Sequence, residues 1–199
     1  MKEIKEIQMF IMNLIQDEFQ KENVNSNEGL QLSPISINED YCKKWNIHSK
    51  DYVCLTKNGE LLRQTLYRVG GMGRPKLGVD NYFMLLKYVE AFYSDEITKD
   101  KSRKPHLEGR WCIIDKEGNE KIEFKSSLSY PYLVKDSCIY TIDSKYYNIE
   151  TGEFYCSSRG SMTSTDYLFL NNEYDKDESK RGVMKINKKD GTWELFSGK

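Results

Sequence analysis

The sequence predicts an α+β fold, in which N-terminal helices and a β-hairpin pack on a C-terminal antiparallel sheet of repeated β-hairpins. Three observations predict this fold. Apolar residues near the N-terminus recur at three- and four-residue intervals, which is the period of an amphipathic helix. Asn58-Gly59 lies between two apolar runs, as in a tight hairpin turn. The chain has 14 Tyr, which is common in strands, and a single alanine, Ala91, the residue that most favours helices. Apart from the N-terminal pattern, the composition therefore favours strands.

Three helices are expected in the N-terminal half. The first covers residues 4–19 and ends in the polar stretch 23–29. A second, short helix follows Ser36, because Glu39 stands three residues after this serine in the pattern of a capping box. The third spans 81–93, where four apolar residues have helical spacing: Phe83, Leu86, Val89 and Phe92.

Hairpins and short strands account for the rest of the chain. The Asn58-Gly59 turn predicts a hairpin over 51–69. Beyond the polar segment 95–108, alternating apolar residues and turn glycines predict further strands, at 110–124, 138–156, 167–170 and 182–196. This change of pattern divides the chain into a helix and hairpin region, 1–105, and a β-repeat region, 106–199. The two regions also fit one continuous domain.

Charge and hydropathy exclude several functional classes. The chain has 30 Lys and Arg against 31 Asp and Glu, which is not the strongly basic balance of a dedicated nucleic-acid binder. The mean hydropathy is −0.72 and no apolar run reaches the roughly 18 residues of a membrane span. The first residues carry charges of both signs, unlike a secretory signal. We therefore expect a cytoplasmic protein that does not associate with membranes.

Few residues are suited to metal or nucleophilic chemistry. The five cysteines are widely spaced, and most lie in apolar runs, as buried residues of a reduced protein do. The two histidines, His48 and His106, lie in polar surroundings, and no zinc-binding pattern contains them. No serine lies in a nucleophile elbow. We expect no metal and no cofactor. The sequence favours a protein without catalytic activity, although folding could still assemble acidic residues and tyrosines into an active site.

Three segments of the β-repeat region share one pattern. In each, an isoleucine precedes a polar residue and a turn that closes on glycine, after which an apolar strand returns. The polar residues are Asp115, Glu150 and Asn187, and the glycines are Gly118, Gly152 and Gly191. Such spacing is typical of arrays of β-repeats. Three units are too few to close a propeller, which has at least about four blades, so an open sheet or a sandwich is expected.

The first of these segments resembles a known family. Residues 110–122, Arg-Trp-Cys-Ile-Ile-Asp-Lys-Glu-Gly-Asn-Glu-Lys-Ile, resemble one unit of the bacterial WG (KWG) β-repeat, with Cys112 where the family has glycine. The resemblance covers about a dozen residues, and the part of the chain before about residue 106 lies outside it. It implies a repeat scaffold for interaction and brings no catalytic residues with it.

A glycine-rich basic segment, 68–76, is the main candidate for ligand binding. Glycines let a backbone approach a phosphate closely while basic side chains supply charge. The candidate residues are Arg68, Gly70, Gly71, Gly73, Arg74 and Lys76. The segment matches neither a Walker loop nor a dinucleotide fingerprint, and a tight connection between two elements uses the same residue types.

Aromatic residues of the β half suggest a second kind of site. A tyrosine can bury its ring while its hydroxyl stays in water, which suits protein interfaces as well as half-exposed sheet faces. The alternative, which we prefer for most of the tyrosines, is that the rings complete a core poor in alanine and phenylalanine. The candidate interface residues are Trp111, Tyr130, Tyr132, Tyr146 and Tyr147. The sequence therefore favours a non-catalytic protein that binds another macromolecule, with a protein as the expected partner. Accessory, immunity-type or defence-related roles would suit such a protein. The alternative is binding of nucleic acid or nucleotide by the glycine-rich segment.

Overall fold

The fold is mostly β, in three antiparallel sheets. The computed structural model describes residues 29–35, 52–63, 65–69, 81–92, 106–125, 130–173 and 175–196, with the single positions 9, 12, 13, 39, 40 and 43. The only helical element with described bounds is a 3₁₀ turn, Glu178–Lys180. The predicted α+β fold is therefore wrong. The predicted helices at 4–19 and after Ser36 fall almost entirely outside the described residues.

Sheet A has seven strands in the order β1-β2-β4-β5-β6-β7, with β3 paired to β2. Its strands are β1 (Leu30–Ile35), β2 (Tyr52–Lys57), β3 (Glu60–Leu61), β4 (Tyr67–Val69), β5 (Tyr82–Phe92), β6 (His106–Asp115) and β7 (Glu120–Glu123). The turn between β2 and β3 confirms the predicted Asn-Gly hairpin, since Asn58 and Gly59 both have positive φ angles, 52° and 80°. The returning strand is interrupted and pairs with β2 again as β4.

The third predicted helix is instead the longest strand of sheet A. Leu85 of β5 lies opposite Val69 of β4, and Lys87 lies opposite Tyr67, so residues two apart in β5 face the same side. Leu85 is completely buried, whereas Leu86 is half-buried. The four apolar residues with helical spacing all belong to β5, a strand that carries apolar side chains on both faces. A strand of this kind has no clean alternation, so helical spacing alone was misleading.

Sheets B and C are two successive four-stranded meanders. Sheet B has the order β11-β10-β9-β8, and sheet C the order β12-β13-β14-β15. Sheet B consists of β8 (Tyr132–Leu133), β9 (Ile139–Ile142), β10 (Lys145–Asn148) and β11 (Phe154–Ser157). Sheet C consists of β12 (Ser161–Thr163), β13 (Tyr167–Asn172), β14 (Gly182–Asn187) and β15 (Trp193–Phe196). The strand at 167–170 and the last hairpin are thus confirmed.

The chain divides into two compact units. Unit 1 comprises the described residues of Met1–Pro75 and Met84–Ser127, and unit 2 those of Lys76–Phe83 and Leu128–Lys199. The buried residues of unit 1 lie mainly on β2 and β6, among them Leu55 and Ile113, and β5 adds Leu85. Strands β6 and β7 follow residue 105 in the chain and belong to unit 1. Sheets B and C are both in unit 2.

Three turns of the two units have the same local structure. In each, the side chain of an Asp or Asn accepts a hydrogen bond from a backbone N–H two residues on, and its backbone carbonyl accepts one from a glycine with positive φ. The pairs are Asp115 with Gly118, Asn148 with Gly152, and Asn187 with Gly191. The repeated turn is therefore present, but in the second of the three turns the polar residue is Asn148 and not the predicted Glu150.

Candidate interaction surface

Sheet C has one buried face and one face with large apolar side chains exposed. Its buried face is formed by Leu168, Leu170, Met184 and Ile186, each at most 2% exposed. Because neighbouring residues of a strand point to opposite faces, the residues between these four form the other side of the sheet. We call this side the outer face of sheet C. It consists of Met162, Tyr167, Phe169, Asn171, Val183, Lys185, Asn187, Glu194 and Phe196.

The strand register brings these residues together. Met162 of β12 lies opposite Phe169 of β13, which lies opposite Lys185 of β14. Lys185 in turn lies opposite Glu194 of β15, so one row of side chains crosses all four strands. Val183 and Phe196 form the next pair on the same face. Residues from four strands, distributed over 35 positions of sequence (162–196), thus form one continuous surface.

Exposure on the outer face is unusually high for apolar residues. Met162 is 76% exposed, Phe196 49% and Val183 40%. Single exposed apolar residues are common on proteins, but several together on one sheet face indicate an interaction site. The sequence alone missed this surface, because Met162, Val183 and Phe196 lie in three separate segments and no local pattern connects them.

A neutral ion pair occupies the middle of the outer face. The Lys185 Nζ donates to Glu194 Oε1 at 2.7 Å, and this hydrogen bond raises the pKa of Lys185. The same ammonium lies 4.2 Å from the ring centroid of Tyr167 and 5.6 Å from that of Phe196. Contacts at this distance between an ammonium and aromatic rings are attractive. The charges therefore cancel locally and are surrounded by rings.

The aromatic residues predicted from sequence lie on other sheets. Trp111 is buried in unit 1, and Tyr146 is buried in unit 2. Tyr130 and Tyr132 contact each other, with ring centroids 4.8 Å apart, and Tyr132 is 55% exposed. Tyr147 is half-buried. Of the predicted interface residues, Tyr132 is thus the one that is largely open to solvent.

A row of apolar side chains crosses sheet B. Leu133, Tyr140, Tyr147 and Phe154 lie opposite one another on successive strands. Tyr140 and Tyr147 stack with their ring centroids 5.1 Å apart, and the Tyr147 ring also contacts Phe154. Burial raises the pKa of Tyr140, and the nearby Tyr147 adds to this increase. Of these residues only Phe154 is exposed, so the rings mainly cover each other.

The glycine-rich segment can be assessed at one residue only. Arg68 lies in β4, opposite Tyr52 on β2 and Leu86 on β5, so its backbone belongs to the middle of sheet A. The other candidate ligand-binding residues lie outside the described residues: Gly70, Gly71, Gly73, Arg74 and Lys76. Ligand binding by this segment stays a prediction.

Unit 1 contains a network of ion pairs on sheet A. Lys87 Nζ lies 3.0 Å from Glu120 Oε2 and 2.6 Å from Glu123 Oε2. Arg110 pairs with Glu123 at 3.2 Å and Arg63 with Glu120 at 3.7 Å. Partial burial works to lower the pKa of Lys87, but the hydrogen bonds to both glutamates outweigh it and raise the pKa. Each of the two glutamates thus has two cationic partners, and the network stabilises the sheet.

Burial suppresses the reactivity of two cysteines. Cys54, Cys112, Cys138 and Cys156 are buried and form no disulfide, whereas Cys42 lies outside the described residues. Burial raises the pKa of Cys112 to about 12 and that of Cys156 to about 11. Both therefore stay protonated at neutral pH and are poor nucleophiles. Within the described ranges, no group of three or more His, Cys, Asp or Glu could hold a metal ion.

No protein-family model, curated protein or solved structure matches the chain. The resemblance of residues 110–122 to the WG repeat therefore stays a prediction. In the part of the chain that the structure describes, no helix is long and apolar enough to cross a membrane.

Proposed function

We propose that this protein works by binding another protein through the outer face of sheet C. The observation that carries the proposal is the cluster of exposed Met162, Val183 and Phe196 around a locally neutral ion pair. Burying such side chains on association releases ordered water, and apolar surface contributes roughly 25 cal/mol per Å² removed from water. A flat apolar face with few charges suits a protein surface better than a polyanion.

The composition of the face supports this proposal. Interface centres are enriched in aromatic residues and methionine and poor in unpaired charges. The outer face offers the rings of Tyr167, Phe169 and Phe196, while Lys185 and Glu194 neutralise each other. The repeated hairpin turns support the same role, because a rigid β framework holds such a face without a change of shape on binding.

A matched pair of variants tests the proposal. Phe196 on β15 and Phe154 on β11 are both 49% exposed and both lie on the last strand of a four-stranded sheet. Phe196→Lys places a charge on the outer face of sheet C, whereas Phe154→Lys places the same charge on sheet B. Each tagged variant is used to capture proteins from a nuclease-treated lysate of the native host, with quantitative mass spectrometry as the readout.

We expect the wild-type chain and Phe154→Lys to recover the same protein partner. We expect Phe196→Lys to recover at least about tenfold less of it, a loss typical of replacing an aromatic residue that contributes strongly to binding. Far-UV circular dichroism confirms that both variants are folded. If Phe196→Lys recovers the same proteins in the same amounts as the wild type, the outer face is not the binding site. The same capture is repeated from an untreated lysate, and a partner that is recovered there but not from the nuclease-treated lysate would favour nucleic-acid binding instead.

A further inference from the structure

One edge of sheet C is open to a further strand. We propose that the partner protein adds an extended segment of its own chain along β15, as a fifth strand of sheet C. This inference rests on the proposed function of the outer face and adds the form of the segment that binds there. Three features of β15 support it: its free backbone groups, its exposed side chains and its one charge.

The free edge of β15 carries unpaired backbone groups. The Asn187 N–H donates to the Thr192 carbonyl at 2.7 Å, and this bond sets the alternation of hydrogen bonds between β14 and β15. Counting from this pair, the N–H and C=O groups of Trp193 and Leu195 point away from β14. No residue that the structure describes forms a hydrogen bond with these four groups. A strand laid along β15 would pair with them, as in the recognition of peptides by strand addition.

Large apolar side chains are exposed on both sides of this edge. Phe196 is 49% exposed on the outer face. Trp193 points to the opposite side of the sheet, because it pairs with the buried Ile186, and yet it is 42% exposed. Its indole N–H donates to Glu153 Oε1 at 3.0 Å. A partner that only covered the outer face would leave Trp193 in solvent, whereas an added strand has side chains on both sides and covers both rings.

The other terminal strands of the three sheets are protected against strand addition. Proteins protect exposed edges with proline, charged residues, bulges or very short strands. Strand β1 contains Pro34, and three of the four residues of β7 are charged. Strands β8 and β12 have two and three residues, and the pairing of β11 with β10 shifts register between Tyr146 and Tyr147. Of these features β15 has a single charge, Glu194, so it is the least protected of the described edges.

The charge on β15 indicates which segment fits. Glu194 Oε1 accepts a hydrogen bond from Lys185, which lies on the side away from the free edge, and the glutamate side chain is still 61% exposed. The charge nearest to an added strand is thus a carboxylate, and a Lys or Arg opposite Glu194 forms a favourable cross-strand pair. The next positions of the segment lie beside Trp193, Leu195 and Phe196 and favour apolar residues. We therefore expect an extended segment with one cation between β-branched or aromatic residues.

Binding of a synthetic peptide tests the proposal. The probe is fluorescently labelled Thr-Phe-Val-Lys-Val-Phe-Thr, whose symmetry about the lysine places the same residues along β15 in either strand direction. Its fluorescence anisotropy is measured with up to about 1 mM of the full chain, a range that covers weak dissociation constants. We expect saturable binding by the wild type. A folded wild type that does not bind this peptide overturns the proposal.

A pair of proline variants tests whether the peptide uses the free edge of β15. Leu195→Pro removes an N–H that points away from β14. Thr163→Pro removes the equivalent N–H on the free edge of β12, since the bond from Ser164 to Tyr167 sets the alternation there. Proline is tolerated on edge strands where its nitrogen faces solvent, so neither variant breaks a hydrogen bond of the sheet.

We expect Leu195→Pro to bind the peptide at least about tenfold more weakly, because the peptide carbonyl opposite it loses its donor. We expect Thr163→Pro to bind the peptide as the wild type does. Far-UV circular dichroism confirms that both variants are folded. Equal binding by the two proline variants overturns the proposal.

An exchange of charges tests the register without proline. In a second peptide, Thr-Phe-Val-Glu-Val-Phe-Thr, a glutamate replaces the central lysine. We expect the wild type to bind the lysine peptide about threefold more tightly than the glutamate peptide, and Glu194→Lys to reverse this preference. The apolar residues are the same in both peptides, so the reversal reports the contact opposite Glu194. A preference that is the same in the wild type and in Glu194→Lys overturns the proposed register.

Capture from the lysate with Leu195→Pro separates this inference from the proposed function. If Phe196→Lys loses the partner and Leu195→Pro retains it, the partner covers the outer face without adding a strand, and this inference alone is wrong. If both variants lose the partner, both proposals are supported. If neither variant loses it, both proposals are wrong.

Discussion

At the scale of single residues, the repeated turn is the feature that the sequence predicts best. A glycine that closes a hairpin turn can be recognised because a left-handed backbone strongly favours glycine. The glycines at 118, 152 and 191 do have positive φ angles. The polar partner was correctly predicted in two turns and missed at Asn148. In that turn Ile149 follows the capping residue, whereas Ile114 and Ile186 precede theirs, so the isoleucine gave the wrong position.

Gly191 should be far less replaceable than Gly152. Both have positive φ angles, 74° and 71°. A Cβ at Gly191 would lie 2.1 Å from Asn148 Nδ2 and 2.6 Å from the Tyr155 hydroxyl, whereas nothing lies within 4 Å at Gly152. We expect Gly152→Ala to lower the free energy of unfolding by about 1–2 kcal/mol through backbone strain. Gly191→Ala should lower it by at least about 3 kcal/mol, because overpacking adds to the strain.

Urea unfolding of the two alanine variants and the wild type measures this difference. Gly152→Ala serves as the control for the backbone term that both variants share. Equal losses of stability would mean that the contact of Gly191 with Asn148 and Tyr155 is absent in solution.

Asp115 should make the first turn sensitive to acid. Burial alone would raise the pKa of its carboxyl, but hydrogen bonds from the Asn119 side chain and backbone, together with Lys121, outweigh this and lower the pKa below its ordinary 3.8. A group whose pKa is lowered by folding stabilises the protein above its unfolded pKa. That stability is lost as the pH falls through the folded pKa.

The Asp115→Asn variant tests this dependence, since Asn occupies the same position in the two other turns. We expect the variant to be about 1 kcal/mol less stable at pH 7, because it loses hydrogen bonds to a charged acceptor. The difference should begin to shrink as the pH falls below about 4, where the carboxyl of the unfolded chain becomes protonated, and should be lost once the pH is below the lowered pKa of the folded state. Unfolding curves from pH 7 to pH 2.5 measure it. A difference that stays constant over this range would show that the charge contributes nothing.

At the scale of elements, hairpins were predicted well and the strand β5 was not. The predicted hairpin turns are defined by adjacent residues such as Asn58-Gly59, so the necessary information is local. The segment 81–93 contains apolar residues that satisfy a helical period, and its pairing with β4 and β6 depends on distant parts of the chain. Strand preference reflects packing against neighbours more than the strand's own sequence, so the local period could not settle the structure.

Two leucines of β5 distinguish the strand from the predicted helix. In the strand, Leu85 is completely buried, and Leu86 is half-buried on the opposite face. In the predicted helix, Leu86 belonged to the apolar stripe and Leu85 did not. We expect Leu85→Ala to lower the free energy of unfolding by about 2–5 kcal/mol, as in other fully buried sites, and Leu86→Ala to cost less. Chemical denaturation of both variants gives the comparison, and the reverse order would favour a helix.

At the scale of the whole molecule, the outer face of sheet C depends on strand register that the sequence does not reveal. Met162, Val183 and Phe196 are unremarkable in their own segments, and the rows that join them require knowledge of which residues lie opposite one another. The composition did predict a β-rich C-terminal half. Of the five aromatic residues singled out there, Trp111 and Tyr146 proved to be core, two are half-buried and one is exposed. Exposure, which depends on tertiary packing, decided which apolar residues remain reachable.

The central claim is that the outer face of sheet C contacts another protein, and site-specific photocrosslinking tests it most directly. A photoreactive phenylalanine analogue replaces Met162, which is 76% exposed on the outer face. In a control chain the analogue replaces Tyr132, which is 55% exposed on sheet B. Irradiation in the native host is followed by detection of covalent adducts. We expect a discrete adduct from position 162 and none from position 132. No adduct at 162, or equal adducts at both positions, would contradict the account.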